Sequence, residues 1–86
     1  MVVRNVKEVI GAIMRVLDGA EISRDDVLAL EFEADGELLA ALNDAYIKLR
    51  EFVHDRERRV ENRYLDDAER AALQHMMNEI VRLSGN

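Results

Sequence analysis

Apolar residues return every three or four positions along most of this chain, the period that keeps them on one face of a helix. The longest stripe runs through Leu39, Leu42, Tyr46, Leu49 and Val53. Leu38, Ala45 and Phe52 lie beside it and widen it to the broad face of a bundle helix, not the narrow seam of a two-stranded coil. Asp35-Gly36-Glu37 marks its start, with the aspartate as N-cap and the glutamate at the positive end of the helix dipole. No proline occurs to break it. The spacing therefore predicts one long central helix over about 36–64. Past Val53 the next stripe positions are Arg56, Val60 and Arg63, so the apolar face fades where charge rises. Such a helix spans roughly 42 Å, against a diameter of roughly 30 Å for a compact domain of this size. It overhangs a compact monomer or runs through an elongated bundle.

A shorter helix is predicted on each side. Residues 2–17 carry Val2, Val6, Val9, Ile10, Ile13, Val16 and Leu17 on one face, and Asp18-Gly19 ends them with a turn. Residues 66–83 carry Leu73, Met76, Ile80 and Leu83 as a seam, with Asp66 or Asp67 as cap, Glu69 in the first turn and Ser84-Gly85-Asn86 as stop. A turn in the short linker around Asn62 to Leu65 makes the last two helices antiparallel; without it they fuse into one rod. The elbow at 18–35 is the ambiguous stretch. Ser23 with Asp26 three residues later has the form of a capping box and favours a short helix to about Leu30. The alternation of Leu28, Leu30 and Phe32 with Ala29, Glu31 and Glu33 is strand-like, but a lone strand has no partner in a helical chain.

Composition narrows the class. Eighty-six residues, 49% hydrophobic and 35% charged, describe one small helical domain with an aliphatic core. There is no cysteine, so neither a disulfide nor thiol chemistry supports it. Self-association is the remaining ordinary way to add burial. Arg4, Lys7, Glu8 and Arg15 interrupt the first apolar run, which excludes a signal peptide core or a membrane span there. The expectation is a soluble, cytoplasmic protein.

The net charge of −6 is unevenly spread. Residues 18–37 hold eight acids against Arg24 alone, whereas residues 48–63 hold six bases against four acids. The first group includes the acidic patch Asp25, Asp26, Glu31, Glu33, Asp35 and Glu37. The second includes Arg56, Arg58, Arg59 and Arg63, whose interleaved acids mark a solvated, self-paired surface and argue against nucleic acid as a partner.

No catalytic constellation is completed. Glu31-x-Glu33-x-Asp35-Gly36 imitates the start of a calcium-binding EF-hand loop, but the twelfth position, where a bidentate glutamate belongs, is Leu42. Glu51-x-x-His54 has the spacing of a carboxylate-bridged di-iron ligand pair, yet Glu51 points away from the apolar stripe. His75 lacks the small residues expected around a phosphate-accepting histidine. The two serines, Ser23 and Ser84, are explained by a cap and a terminus, and the four glycines are isolated.

The expectation is therefore an all-α small bundle, doubled into a dimer, with no cofactor and no enzymatic activity. Its function is expected to be protein–protein interaction through the apolar stripe and polarised charge. Val3, Ile10, Met14, Leu38, Tyr46, Phe52, Met76 and Met77 are the residues expected to serve core and interface together. Two alternatives are an acidic mimic that docks on a basic target, and a metal-binding, ferritin-like dimer that uses Glu51 and His54.

Overall fold

In the computed structural model, which describes residues 3–85, five helices follow one another: α1 Val6–Leu17, α2 Arg24–Leu28, α3 Gly36–His54, α4 Arg56–Glu61 and α5 Arg63–Leu83. The fold is all-α. The helices form a bundle 43 × 23 × 18 Å in extent with a radius of gyration of 12.7 Å, and the unbroken central rod expected from the sequence is not formed, because α3 stops at His54.

Each boundary has a local cause. α1 starts at Val6, later than the periodicity predicts, because Arg4 exchanges backbone hydrogen bonds with Glu33 at 2.9 and 3.1 Å and Asn5 turns the chain in the left-handed region at φ 62°. That single antiparallel bridge is what remains of the strand-like alternation before α3. Val2, in the expected helix, lies outside the described residues. At the other end of α1, Gly19 takes φ +98, and the Ala20 and Gly19 N–H groups donate back to the Arg15 and Val16 carbonyls. This satisfies carbonyls the helix end would leave free, and the positive φ is why a glycine stands there. α2 begins with the full capping box: the Ser23 hydroxyl accepts from the Asp26 N–H and the Asp26 carboxylate from the Ser23 N–H, both at 3.0 Å.

The long helix expected over about 36–64 is broken at Asp55 and again at Asn62. Asp55, with ψ near 11°, separates α3 from α4, and Asn62 ends α4 in an extended conformation. Neither aspartate caps α5; the Asn62 side chain does, accepting from the Leu65 N–H at 3.2 Å. Asp35 likewise flanks α3 without a side-chain cap bond.

Antiparallel packing of α3–α4 on α5 organises the core. Ala40, Ala41 and Asp44 near the start of α3 lie against Met76, Glu79 and Leu83 near the end of α5. α1 lies across both, running the same way as α3, since Arg4 adjoins Glu33 at one end and Val16 contacts Arg70 at the other. Val9, Ile13, Val16, Leu42, Ala45, Leu49, Phe52, Leu73 and Ile80 are fully enclosed. Leu39, Tyr46 and Val53, which define the sequence stripe, are half-buried. The true core line runs along Leu42, Ala45, Leu49 and Phe52. No helix among the described residues is long and apolar enough to cross a membrane.

Candidate interaction surface and buried charge cluster

A shallow groove separates α2 from the outer face of α3. Val27, Ile47 and Val53 form its apolar lining, and Arg24, Arg50, Glu51 and His54 its polar rim. Ile47 is 52% exposed although it is a large aliphatic residue on a central helix. Val53 and His54 continue the groove along α4 to Arg56 and Val60, the latter 77% exposed. Arg24, Arg50 and His54 have no ion-pair partner among the described residues. Arg50 instead leans over the Tyr46 ring at 5.9 Å. At the other end of α3, about 28 Å away by helical rise, Glu31, Asp35 and Glu37 are exposed and equally unpaired.

The second concentration of chemistry is inside the molecule. The Arg59 side chain is 1% exposed. Its guanidinium stacks on the Phe52 ring, 3.4 Å from the centroid, with Arg70 near the same ring at 5.1 Å. Arg59 Nε donates to the Phe52 carbonyl at 2.9 Å. Backbone bonds bracket the break as Asp55 N–H to Glu51 and Arg59 N–H to Asp55, so the arginine side chain takes a carbonyl that the break frees. Its remaining nitrogens reach Asp66 at 2.8 Å and Glu21 at 3.4 Å. One side chain thus ties α3, α4, α5 and the α1–α2 connection together. Arg70 extends the network to Asp66 at 2.9 Å and to the Val16 carbonyl, at the negative end of the α1 dipole.

Glu69 closes the cluster from α5. It is 6% exposed, and its Oε2 has no hydrogen-bond partner among the described residues. Arg59 Nε is 3.6 Å away but has already given its proton to Phe52. Burial, then the hydrogen bond and charge of Asp55, push the Glu69 carboxyl up to about 7, while Lys48 and Arg59 pull weakly the other way. The same contact with Glu69, then Arg58, His54 and Arg59 close by, holds Asp55 below the usual carboxylate value against the opposing effect of burial. Burial raises Asp66, but the hydrogen bonds from Arg70 and Arg59 outweigh it and the net direction is down.

The structure redistributes the residues that sequence periodicity singled out. Phe52 is completely enclosed under Arg59 and serves the core alone, which corrects its expected interface role. Val3 and Met14 are about half exposed, whereas Ile10, Leu38, Tyr46, Met76 and Met77 are half-buried against the core. Tyr46 makes an edge contact with Phe32, ring centroids 6.0 Å apart. All six acids of the expected patch are exposed, but they occupy two places. Asp26 faces Arg15 near the end of α1, and Glu33 is bridged to Arg4 before its start. Glu51 pairs with Lys48 at 2.9 Å and His54 is exposed; no group of three metal-ligating side chains stands together among the described residues. Leu42, at the position a calcium ligand would need, is in the core. Of the basic run, Arg56, Arg58 and Arg63 face solvent and Arg59 does not. Glu69, placed by sequence in the first turn of the last helix, lies further along α5 and in the interior, 3.6 Å from the buried Arg59. No family model, curated protein or solved structure matches the chain.

Proposed function

We propose that the protein is a non-enzymatic, cytoplasmic helical interaction module whose partner is a second copy of itself. The two copies dock antiparallel along α3, so that Glu31, Asp35 and Glu37 of each meet Arg24, Arg50 and His54 of the other. Ile47 supplies the apolar contact near the centre. The observation that carries this reading is the pair of unpaired, opposite charge groups at the two ends of α3, with an exposed aliphatic residue between them. Charges left unpaired within one copy and complementary between copies favour encounter and set orientation, while the apolar centre supplies affinity. A surface imitating nucleic acid would need the six acids on one face, and their division between the two ends of α1 speaks against it.

Size-exclusion chromatography with light scattering, across protein and salt concentration, tests the proposal. A dimer is expected at low salt, weakening as exposed charges are screened. Arg50→Glu is expected to give a monomer, and adding Asp35→Lys to that variant to restore the dimer. A wild-type monomer at low salt up to about 100 μM, an affinity far weaker than specific interfaces show, overturns it. So does an Arg50→Glu variant that dimerises as well as wild type.

A further inference from the structure

We infer that the groove between α2 and α3 binds a small amphipathic anion, a monocarboxylate with an aliphatic body of about eight carbons. The site does not depend on the dimer. Its volume of about 600 Å³ lies in the range of small-molecule sites. Val27, nearly enclosed, closes the bottom, and half-buried Val53 and exposed Ile47 complete the apolar lining. Ile47 and Val53 stand about 9 Å apart by helical rise, the length of an extended chain of about eight carbons.

The rim supplies the donors that a carboxylate needs. Arg24 comes from α2, and Arg50 and His54 come from α3 one turn apart, so N–H groups stand on both sides of the groove. None of the three has an ion-pair partner among the described residues. Glu51, the acid on the rim, is already paired with Lys48 at 2.9 Å. An arginine fork can give two parallel N–H bonds to one carboxylate, which fixes the head of the ligand as well as holding it.

A second copy would answer the rim with Glu31, Asp35 and Glu37, but those side chains bring little apolar surface to Val27 and Val53. A ligand that carries a carboxylate and an aliphatic chain together satisfies rim and lining at once. Ligand and second copy use the same arginines, so the ligand displaces the partner wherever the dimer forms.

Sodium octanoate titrated into the isotopically labelled full chain at low salt tests the site, read by the methyl NMR shifts of Val27, Ile47 and Val53 with light scattering alongside. Saturable shifts with a Kd at or below about 1 mM are expected. Acetate, the head without the chain, and 1-octanol, the chain without the head, should each bind at least about tenfold more weakly. The same loss is expected for octanoate with Arg24→Glu, Arg50→Glu and Ile47→Asp. Arg63→Glu, whose side chain is 93% exposed outside the groove, should bind as wild type. Shifts that do not saturate by about 5 mM overturn the inference. So does 1-octanol binding as tightly as octanoate, or an equal loss in Arg63→Glu, or Arg24→Glu and Arg50→Glu both within about twofold of wild type. A protein that light scattering shows to be monomeric throughout removes the dimer alone, and the methyl shifts still decide the site.

Discussion

Arg59→Met tests the central structural claim, that one buried guanidinium holds four segments together. Methionine keeps much of the apolar stem but removes the charge and all five N–H donors. The Phe52 carbonyl then loses its 2.9 Å donor inside the core, at a cost of about 1–3 kcal/mol for a buried acceptor left alone. Glu69 loses the charge 3.6 Å away. Asp66 and Glu21, with side chains 24% and 38% exposed, recover water, and Asp66 keeps Arg70 at 2.9 Å. The stacking on Phe52 goes as well, worth up to about 2 kcal/mol when desolvated. These losses overlap and do not add. Breaking a buried ionic cluster by removing one member costs about 3–5 kcal/mol, and that is the expected total. It is a large part of the roughly 4–13 kcal/mol that stabilises a chain of this length. Urea unfolding followed by circular dichroism measures it, with Arg58→Met, whose side chain is 74% exposed, as a control expected to change stability by less than about 0.5 kcal/mol. The loss should also shrink at about pH 5, where Glu69 takes up a proton and no longer needs a counter-charge. A loss below about 1 kcal/mol, well short of the cost of breaking a buried ionic cluster, refutes the reasoning.

Three further outcomes concern Glu69, Asp66 and the capping box of α2. Glu69 binds its proton more tightly folded, at about 7, than unfolded, near 4.5; the folded state therefore holds more protons between those values and stability falls as pH rises through them. At 1.36 kcal/mol per pH unit the fall is about 3 kcal/mol, and Glu69→Gln should remove it, as urea midpoints at a series of pH values would show. Below about pH 4 the sign reverses, because Asp66 is held below its ordinary value and its contribution is lost as it protonates. Ser23→Ala removes the hydroxyl that accepts from the Asp26 N–H and should cost about 1 kcal/mol, with amide exchange rising in α2 while α5 keeps its protection; unchanged exchange in α2 would show that the capping box does not hold it.

Local patterns with short-range causes were legible in the sequence. The capping box at Ser23 and Asp26, the glycine turn after α1 and the apolar faces of α1 and α5 all depend on residues within a few positions of one another. The stripe of α3 was legible to within part of a turn: Leu49 is central to it, but Ala45 and Phe52 are fully buried and Tyr46 and Val53 are not. The exposed Ile47 was not legible, because a lone apolar residue among Asp44, Lys48 and Glu51 carries no periodic signal until its neighbours are placed. The start of α1 was misplaced because the competing partner, Glu33, lies far along the chain.

The α3–α4 junction shows why the remainder was hidden. The apolar stripe read from sequence continues from Leu49 to Arg56 and Val60, whereas the core line through Phe52 continues seven residues on to Arg59, about 20° from it, and leaves Val60 about 80° away. The structure follows the second line: Val60 is 77% exposed and Arg59 is buried. An arginine at a core position gives no apolar signal, and the reason for its burial lies on the facing helix. Glu69 stands four residues before Leu73 and in phase with Ile80, so the apolar seam of α5 has a carboxyl at its first position. A valine there would leave that carboxyl buried and unpaired, whereas an arginine supplies a charge to Glu69, donors to Asp66 and Glu21, and a flat face for Phe52. A charged residue in phase with an apolar seam is thus a sequence signal in its own right, and it becomes readable when a residue of opposite charge occupies the corresponding phase on the helix that packs against it.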